Sequence, residues 1–430
     1  MLGNVRTKVG RRAESLADYQ EGEKLLTRLW ESTESDSNCL YELALVRYNL
    51  ACALFTNNQW EEAKKLFTVA LENFQTLSAH DPDNRQHRTV HAQLLKDYAA
   101  SLELQGDLPQ AIQQISLSLN MFERLVAETY GVNLQRGLAD CLTRYSQFLN
   151  TSRKPAESLP LAKRAKVICE ELVREYSTRP DMQTSLATVC YQLGWGHELN
   201  KEWLEAVAEY EQSCSILEKL VADFPNVPSN MNVLGQAYNN LGKALKMLRQ
   251  NERAFTSFTK AKTHLERSLR LSESSPLVKK PLKTVILNIS YELADKSKYE
   301  EALREIEQAA ALVPSRGCRL WWAAMLIKLG RHQEAVQAAV EICKDKEINQ
   351  QELFFAVLVC SLAVDELKNS GLDAAQYSKR GKEIFSRLVG KVTHKQLDEF
   401  TRNSKAEWWM TSQTQMFKIW LSELEANPRK

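Results

Sequence analysis

Residues 238–269 read YNNLGKALKMLRQNERAFTSFTKAKTHLERSL, and this stretch decides the fold. It consists of two amphipathic segments joined by the polar turn Arg249-Gln250-Asn251. Small or apolar residues recur at helical spacing in both segments: Tyr238, Leu241, Gly242 and Leu245, then Ala254, Phe258 and Ala261. A glycine on one helix and alanines on the next let two backbones pack closely. The stretch is therefore predicted to form one helical hairpin.

The hairpin pattern recurs along the chain at a nearly constant period. With Ala254 as the anchor, the counterparts lie 47 or 48 residues apart: Ser15, Ala63, Ala111, Ser158, Ala206 and Ala302. Four residues after each anchor comes a side chain for the hairpin interior: Tyr19, Phe67, Ile115, Ala162, Tyr210, Phe258 and Ile306. Small residues lie seven after and twelve before each anchor, where helices cross. A bundle that merely uses alanine and glycine at its crossings would not produce this period, so we expect stacked hairpins.

The residues of the central hairpin fall in register on the signature of the tetratricopeptide repeat (TPR), which the chain resembles. The resemblance implies an all-α fold, a right-handed superhelical TPR solenoid of about seven to nine helical hairpins, mostly with a 48-residue period. This period exceeds the ~34 residues of the minimal TPR because both helices are longer. Proline and glycine breakers such as Asp81-Pro82-Asp83 and Phe224-Pro225 separate the repeats.

Changes in this pattern predict three segments. Residues 1–315 form the long-period TPR array, whose first hairpin is truncated at Met1 because Met1 falls inside a first helix. Residues 316–392 form shorter TPR-like hairpins, since the next anchor, Ala335, follows after only 33 residues. Residues 393–430 form a C-terminal capping helix region. Its aromatic residues are predicted to cover the last hairpin: Trp408, Trp409, Phe417 and Trp420.

The phrasing of the breakers adds a second resemblance. Residues 217–245, LEKLVADFPNVPSNMNVLGQAYNNLGKAL, are similar to the TPR tails of many large bacterial serine/threonine protein kinases. TPR arrays commonly serve as scaffolds that bind protein or peptide, and we expect that function here. The similarity to kinase tails implies an alternative: the C-terminal sensory or docking tail of a kinase whose catalytic domain is missing from this chain. The truncated first hairpin agrees with a chain whose true start lies upstream.

The sequence carries no catalytic motif, so we predict that the chain is not an enzyme. Phosphoryl transfer needs a phosphate-binding loop, a lysine, and Asp and Asn residues for the metal and the hydroxyl. No Gly-x-Gly-x-x-Gly, His-Arg-Asp, Asp-Phe-Gly or Walker motif is present. Gly194-Trp195-Gly196 falls inside a repeat helix, where a packing role is favoured. A stand-alone enzyme is therefore the weakest of the three functions considered.

Composition narrows the partners and the compartment. Lys and Arg number 56 against 54 for Asp and Glu, so no basic excess favours nucleic acid. No apolar run reaches the ~18 residues of a membrane span. Nine cysteines without a C-x-x-C pair favour buried thiols in a reducing compartment. We predict a cytoplasmic protein that binds protein or peptide, with no nucleic acid and no membrane; the sequence leaves its oligomeric state open.

No cofactor and no metal site are predicted. His87 and His91 stand four residues apart, so a helix places both on one face, with Asp81 and Asp83 nearby. Two histidines at this spacing bind zinc when a third ligand converges on them. The sequence identifies no third ligand, so a surface or capping role is favoured for this pair.

Binding is the function that remains. In TPR arrays the first helix of each hairpin lines a groove that takes an extended peptide or a partner helix. By this resemblance, two positions face the groove: the residue two before the small crossing residue, and the residue just after it. The first position holds Asn49, Asn240 and Asn288, and the second holds Asn4, Lys243 and Tyr291.

The chemistry of these side chains suits a peptide ligand. An Asn amide pairs with both the N–H and the C=O of a peptide backbone, and Lys243 and Lys246 can meet an acidic group. The alternative is that each is a solvated helix position without a ligand. Trp195, Trp321 and Trp322 could either anchor a ligand in the groove or pack in the core, and core packing is favoured. Packing is also predicted for Trp60, Trp203 and Tyr299, which share one repeat position.

Overall fold

The computed structural model describes residues 12–33, 36–57, 59–272 and 276–389, and every regular element within these ranges is an α-helix. The chain divides into two compact units, Met1–Gln250 and Asn251–Lys430. The first unit contains α1 (Arg12–Thr33), α2 (Ser37–Thr56), α3 (Trp60–His80), α4 (Arg85–Leu104), α5 (Leu108–Glu128), α6 (Val132–Thr151), α7 (Pro155–Glu175), α8 (Pro180–Leu199), α9 (Trp203–Asp223) and α10 (Pro228–Met247). The second contains α11 (Asn251–Leu271), α12 (Pro276–Asp295), α13 (Tyr299–Leu312), α14 (Arg316–Lys328), α15 (His332–Cys343), α16 (Gln350–Asn369) and α17 (Ala375–Val389).

Consecutive helices pair as hairpins within each unit. In the first unit α2 packs on α3, α4 on α5, α6 on α7 and α8 on α9; in the second α12 packs on α13, α14 on α15 and α16 on α17. The predicted all-α helical-repeat class is thus confirmed over the ranges just given. Helix α10 ends and α11 begins on either side of the predicted turn at Arg249. Asn4, one of the residues predicted at the second groove position, and the capping region 393–430 lie outside the described residues.

The helices begin where the sequence places its breakers. Proline is the first residue of α7, α8, α10 and α12, where its missing N–H removes no helix hydrogen bond. Five other helices start at a polar side chain that accepts from a free backbone N–H: Asp36, Asn84, Asp107, Ser315 and Asn349. The chain therefore leaves one hairpin and enters the next at positions fixed by local chemistry.

The short turns that follow α4, α6, α8, α10, α12, α14 and α16 each contain a residue with left-handed backbone conformation. These residues are Gly106, Arg153, Lys201, Arg249, Ser297, Gly330 and Gly371. That conformation lets the next N–H reach back to an unpaired carbonyl of the first helix, as Glu202 N–H does to His197 O at 2.9 Å. The repeated hydrogen bond explains why the turns keep one geometry although only three of these seven residues are glycine.

The repeat positions form the core. All eight anchors from Ser15 to Ala335 are at most 1% exposed. The side chains four residues later are buried as well, and four of them are aromatic: Tyr19, Phe67, Tyr210 and Phe258. In the first unit each hairpin also packs on the next, since α3 contacts α4, α5 contacts α6, and α7 contacts α8. The apolar stripe of each hairpin is thus covered by its neighbours, as expected for stacked repeats.

Close helix crossings account for three glycines. A Cβ on Gly194 would lie 2.7 Å from Cδ1 of Tyr210, and a Cβ on Gly196 would lie 2.7 Å from Cδ2 of Leu159. The packing role predicted for this glycine pair is therefore confirmed. Gly137 packs in the same way against the ring of Phe122, at a position that the repeat register did not single out.

The helices shorten where the anchor spacing falls. Helices α13, α14 and α15 span 14, 13 and 12 residues, whereas α3, α5, α7 and α9 span 21 each. No helix in the described ranges combines the length and apolar character needed to cross a bilayer. All nine cysteines are free thiols and eight are buried. Burial raises the pKa of Cys141 and of Cys343 to about 11, so both thiols stay protonated at neutral pH.

Candidate functional site

The first helices of the hairpins in the first unit form one layer. Helices α2, α4, α6, α8 and α10 contact one another in that order. A hydrogen bond between polar side chains joins each of them to the next: Tyr48 to Asp97, Gln147 to Glu103, Ser185 to Asp140, and Asn240 to Tyr191. These partners lie 44 to 49 residues apart, about one repeat period. The layer is therefore a polar surface whose side chains are held from one repeat to the next.

A groove of about 630 Å³ lies along α4, α6, α8 and α10. Its charged lining residues are the cations Lys96, Arg136 and Arg144 and the carboxylates Asp97, Asp140 and Asp181. Its hydroxyl groups come from Thr143, Thr184, Ser185, Thr188 and Ser229. Phe224 and Val227, 41% and 38% exposed, add an apolar section. A volume of this size falls within the range of ordinary ligand sites, roughly 300–1,000 Å³.

Two of the groove carboxylates are fixed by neutral donors. Asp97 accepts from the Tyr48 hydroxyl at 2.5 Å and from Gln93 Nε2 at 3.1 Å. Asp140 accepts from the Ser185 hydroxyl at 2.9 Å. Burial and the negative charge of Asp97 raise the pKa of Tyr48 well above its usual value, so this phenol remains a donor.

The third carboxylate, Asp181, is held by two arginines. Arg179 donates to both carboxylate oxygens at 3.1 and 2.6 Å, and Arg136 donates from α6 at 3.0 Å. The hydrogen bond from Arg179, together with the charges of both arginines, lowers the pKa of Asp181. Asp181 is therefore ionised at neutral pH. Through its ion pair with Arg136 it links the first turn of α8 to α6.

The groove cations have fewer partners than the carboxylates. The Lys96 side chain is 12% exposed, and Asp140 Oδ2, the carboxylate oxygen it pairs with, lies 4.0 Å from Nζ. Arg136 Nε is buried and has no acceptor among the described residues. Arg144 donates to Gln147 Oε1 at 3.1 Å. The lining thus has donors in need of acceptors, while its carboxylates already have donors.

Glu103 lies behind the groove wall, beside Arg144 and Gln147. Gln147 Nε2 donates to both Glu103 oxygens, at 3.0 and 3.1 Å. Burial raises the pKa of Glu103, although the charge of Arg144 and the Gln147 hydrogen bond act in the opposite direction. The ionised form of this carboxyl therefore disfavours the folded state.

We expect Glu103→Gln to raise the Tm at pH 7. A folded-state pKa above the unfolded value means that the stability contributed by the protonated carboxyl is present at low pH and lost as pH rises through the folded pKa. The gain from Glu103→Gln should therefore shrink as pH falls, and be smallest below the ordinary pKa of 4.5. Thermal melts from pH 4 to 7 test this, with the exposed Glu42→Gln as control. A gain that does not change with pH would contradict it.

Two of the predicted site residues lie together on α10. Asn240 is 8% exposed, and its amide donates to the Tyr191 hydroxyl at 3.1 Å. Lys243, 40% exposed at its side chain, donates to Glu198 Oε1 at 2.9 Å. Glu198 also accepts from the Tyr210 hydroxyl at 2.9 Å. These residues form one polar cluster between α8, α9 and α10, in which the Asn240 amide and one donor of Lys243 are bonded within the protein.

The other predicted residues are spread over both units. Asn49 is half-buried on α2 and Lys246 is half-buried on α10. Asn288 and Tyr291 belong to α12 in the second unit, where the Tyr291 ring lies 4.6 Å from the ring of Trp321. The structure therefore brings Asn240 and Lys243 together, and it places Asn288 and Tyr291 on a different unit.

The register rule nevertheless leads to the groove when it is applied to the middle repeats. Asp97 and Arg144 occupy the repeat position of Asn240, and Gln147 occupies the position of Lys243. All three line the groove. The sequence analysis missed Asp97 and Arg144 because it considered the position of Asn240 only in repeats where that position holds asparagine. Examining both groove-facing positions in every repeat would have identified all three residues.

Aromatic and histidine side chains have structural partners. Trp321 is 2% exposed and its Nε1 donates to Ser290 at 2.8 Å, which confirms core packing for this residue. His87 stacks on Tyr41 with ring centroids 5.0 Å apart, and His91 stacks on Phe74 at 6.0 Å. Among the described residues, no group of three or more His, Cys, Asp or Glu side chains is arranged to hold a metal ion.

Comparison with known proteins finds no matching family model and no matching curated protein. Solved structures do match. A signal transduction ATPase with numerous domains from Pyrococcus horikoshii, which carries a tetratricopeptide repeat sensor, is 9% identical, with a TM-score of 0.50 over 86% of this chain and 55% of its own. The apo form of RapI is 14% identical, with a TM-score of 0.49 over 90% of this chain and 99% of its own.

A third similar structure is a human IFIT1 dimer with m7Gppp-AAAA. It is 13% identical, with a TM-score of 0.44 over 89% of this chain and 80% of its own. At such low identities a structural likeness concerns the fold alone. The helical hairpins, the repeat register and the match to the Pyrococcus protein agree on a TPR-type helical repeat. The kinase-tail resemblance and the expected lack of nucleic-acid binding remain predictions.

Proposed function

We propose that this chain, a TPR repeat protein by fold, is a non-catalytic scaffold that binds an extended segment of a partner protein in the groove of its first unit. The observation that carries the proposal is the groove itself, since four consecutive first helices contribute to one continuous lining. A ligand that contacts all four must be elongated. An extended peptide has that form, and its backbone presents a donor and an acceptor at nearly every residue.

The lining chemistry supports a peptide over a purely apolar ligand. The hydroxyl protons of the three groove threonines and of Ser185 are donated within the protein, but each hydroxyl oxygen keeps a lone pair that can accept from a peptide N–H. Phe224 and Val227 provide an apolar section for one or two ligand side chains. Small numbers of placed polar groups beside apolar surface are typical of sites that fix the orientation of a ligand.

A scaffold without catalysis also agrees with how the titratable groups are used. The lining contains no histidine and no cysteine among the described residues, and its three carboxylates each accept at least one hydrogen bond. These hydrogen bonds come from side chains of the protein itself, so the carboxylates have a structural role that agrees with a binding site.

The test is a selection of binding peptides followed by a blocking variant. A random 12-residue phage-displayed library is selected on the purified full chain, and the Kd of each enriched peptide is measured by fluorescence anisotropy. Thr188→Arg places a long charged side chain in the groove, so we expect the Kd to rise at least tenfold, about 1.4 kcal/mol.

Thr68→Arg is the matched control. Thr68 is exposed on α3, and its hydroxyl donates to the carbonyl four residues earlier, as that of Thr188 does. We expect this variant to bind with the wild-type Kd. Equal binding by wild type and Thr188→Arg for every selected peptide would place the binding surface elsewhere and contradict the proposal.

A further inference from the structure

We propose that the segment bound in this groove carries an acidic side chain whose carboxylate pairs with Lys96. This inference rests on the proposed function and names the chemistry of its ligand. Lys96 lies on α4, lines the groove, and keeps only 12% of its side chain exposed. Its ammonium group carries three donors. None of them has a hydrogen-bond acceptor among the described residues, because the paired oxygen of Asp140 is 4.0 Å away.

Other lysines of similar burial show that this state is unusual for the chain. Lys166, 19% exposed, donates to Glu209 Oε1 and Oε2 at 2.8 and 2.7 Å and to Gln212 Oε1 at 2.8 Å. Lys262, also 19% exposed, makes the same three bonds with Glu305 and Gln308. Lys166 and Lys262 both lie on the second helix of a repeat, and each makes three hydrogen bonds through its ammonium group. Lys96 does not, and it is the more buried side chain of the three.

The neighbouring carboxylates are held by other donors. Asp97, next to Lys96 in sequence, accepts from Tyr48 and Gln93, and Asp140 accepts from Ser185. Lys96 Nζ is not among the buried polar atoms without a partner in the described residues, so it is open to a ligand in the groove, where an acceptor of that ligand can replace water. The ligand group that suits Lys96 therefore carries lone pairs and negative charge.

A second cation of the same groove points the same way. Arg144 donates to Gln147 Oε1 at 3.1 Å and has no carboxylate within ion-pair distance among the described residues. The groove carboxylates each have donors, so the unmet demand in the lining is for acceptors. An acidic side chain meets that demand, whereas a basic one would add a further unpartnered donor.

The position of Lys96 favours a side-chain carboxylate over a peptide C-terminus. The row of first helices continues beyond α4 to α2, whose Asn49 is half-buried at the repeat position of Asp97. A ligand that crosses α4 therefore has a further helix of the same layer to follow. Lys96 meets the interior of such a segment, where the available carboxylates are those of Asp and Glu.

The experiment uses the peptides selected above whose binding is blocked by Thr188→Arg. We expect each to contain Asp or Glu, and Lys96→Met to raise the Kd at least tenfold. Replacing that acidic residue of the peptide by its amide should weaken binding to wild type by a similar factor, with little further effect on Lys96→Met. Peptides with a free and an amidated C-terminus should bind alike.

Stability gives an independent readout. Lys96→Met should change the Tm of the free protein little, because Lys96 makes no hydrogen bond with the described residues and its ion pair with Asp140 is long, at 4.0 Å. Lys166→Met, the matched control, should lower the Tm and leave the peptide Kd unchanged. These opposite effects distinguish a lysine kept for a ligand from a structural lysine.

Each other result overturns the inference in a recognisable way. Groove-blocked peptides that lack Asp and Glu, or that bind Lys96→Met as tightly as wild type, would contradict the acidic contact and leave the proposed function standing. Loss of binding on amidation of the peptide C-terminus would replace the side chain by a terminal carboxylate. If Thr188→Arg blocks no selected peptide, both the proposed function and this inference are wrong.

Discussion

Gly194→Ala should destabilise the first unit by about 2 kcal/mol, the middle of the range for inserting a methyl group into a packed core. The added Cβ would lie 2.7 Å from Cδ1 and 3.0 Å from Cγ of Tyr210. The ring cannot easily give way, because Tyr210 is fully buried and its hydroxyl is fixed to Glu198 at 2.9 Å. The direction of the change in unfolding free energy is informative, since Gly→Ala in an unobstructed helix stabilises by up to roughly 1 kcal/mol.

Gly317→Ala provides the control for this effect. Gly317 is also helical, in α14, and a Cβ there would meet nothing within 4 Å. In urea unfolding monitored by circular dichroism, the midpoint urea concentration should fall for Gly194→Ala. It should stay the same or rise for Gly317→Ala. Two variants that both stabilise would show that α8 and α9 are not in close contact at this crossing.

The location of this crossing could be predicted from the sequence, but its closeness could not. Small residues twelve before each anchor marked where helices cross, and these residues are buried wherever the structure describes them. The same register position holds Ala51 opposite the buried Phe67, so an aromatic residue alone does not demand glycine. At Gly194 the ring of Tyr210, whose hydroxyl donates to Glu198, occupies the space that a Cβ would need. Gly137 was missed because the sequence analysis did not compare its repeat position or that of Phe122, the residue it contacts.

The candidate site shows a similar limit. Repeat spacing identified the groove-facing positions, yet asparagine was taken as the mark of the site. Asn240, which remains a predicted site residue, bonds to Tyr191, and Asp97 and Arg144 at the same register line the groove. The partner that engages such a side chain lies 44 to 49 residues away, on the neighbouring repeat. A sequence pattern predicts which face of a helix a residue lies on. Whether that residue is engaged by another side chain depends on the residues of the neighbouring repeat.

Phe67→Ala should have the largest effect on stability, about 3–5 kcal/mol, as expected for deleting a buried aromatic ring. Phe67 is 0% exposed at the centre of the α2–α3 hairpin, and its ring centroid lies 6.4 Å from that of Tyr48 and 5.6 Å from that of Tyr98. Tyr48 in turn donates to Asp97 in the groove. The cavity should therefore loosen both the hairpin and the groove wall that contains Asp97 and Lys96.

The loss should also be local, because each hairpin of a solenoid is stabilised mainly by its neighbours. Hydrogen exchange should show protection falling first in α2, α3 and α4 and remaining near wild type in α14 and α16. Tyr130→Ala removes a ring that is 65% exposed and serves as control, with an expected change within about 0.5 kcal/mol. If exchange instead accelerated equally in every helix, the described hairpins would unfold as one cooperative unit, and a core mutation in α3 would affect the groove only through global unfolding.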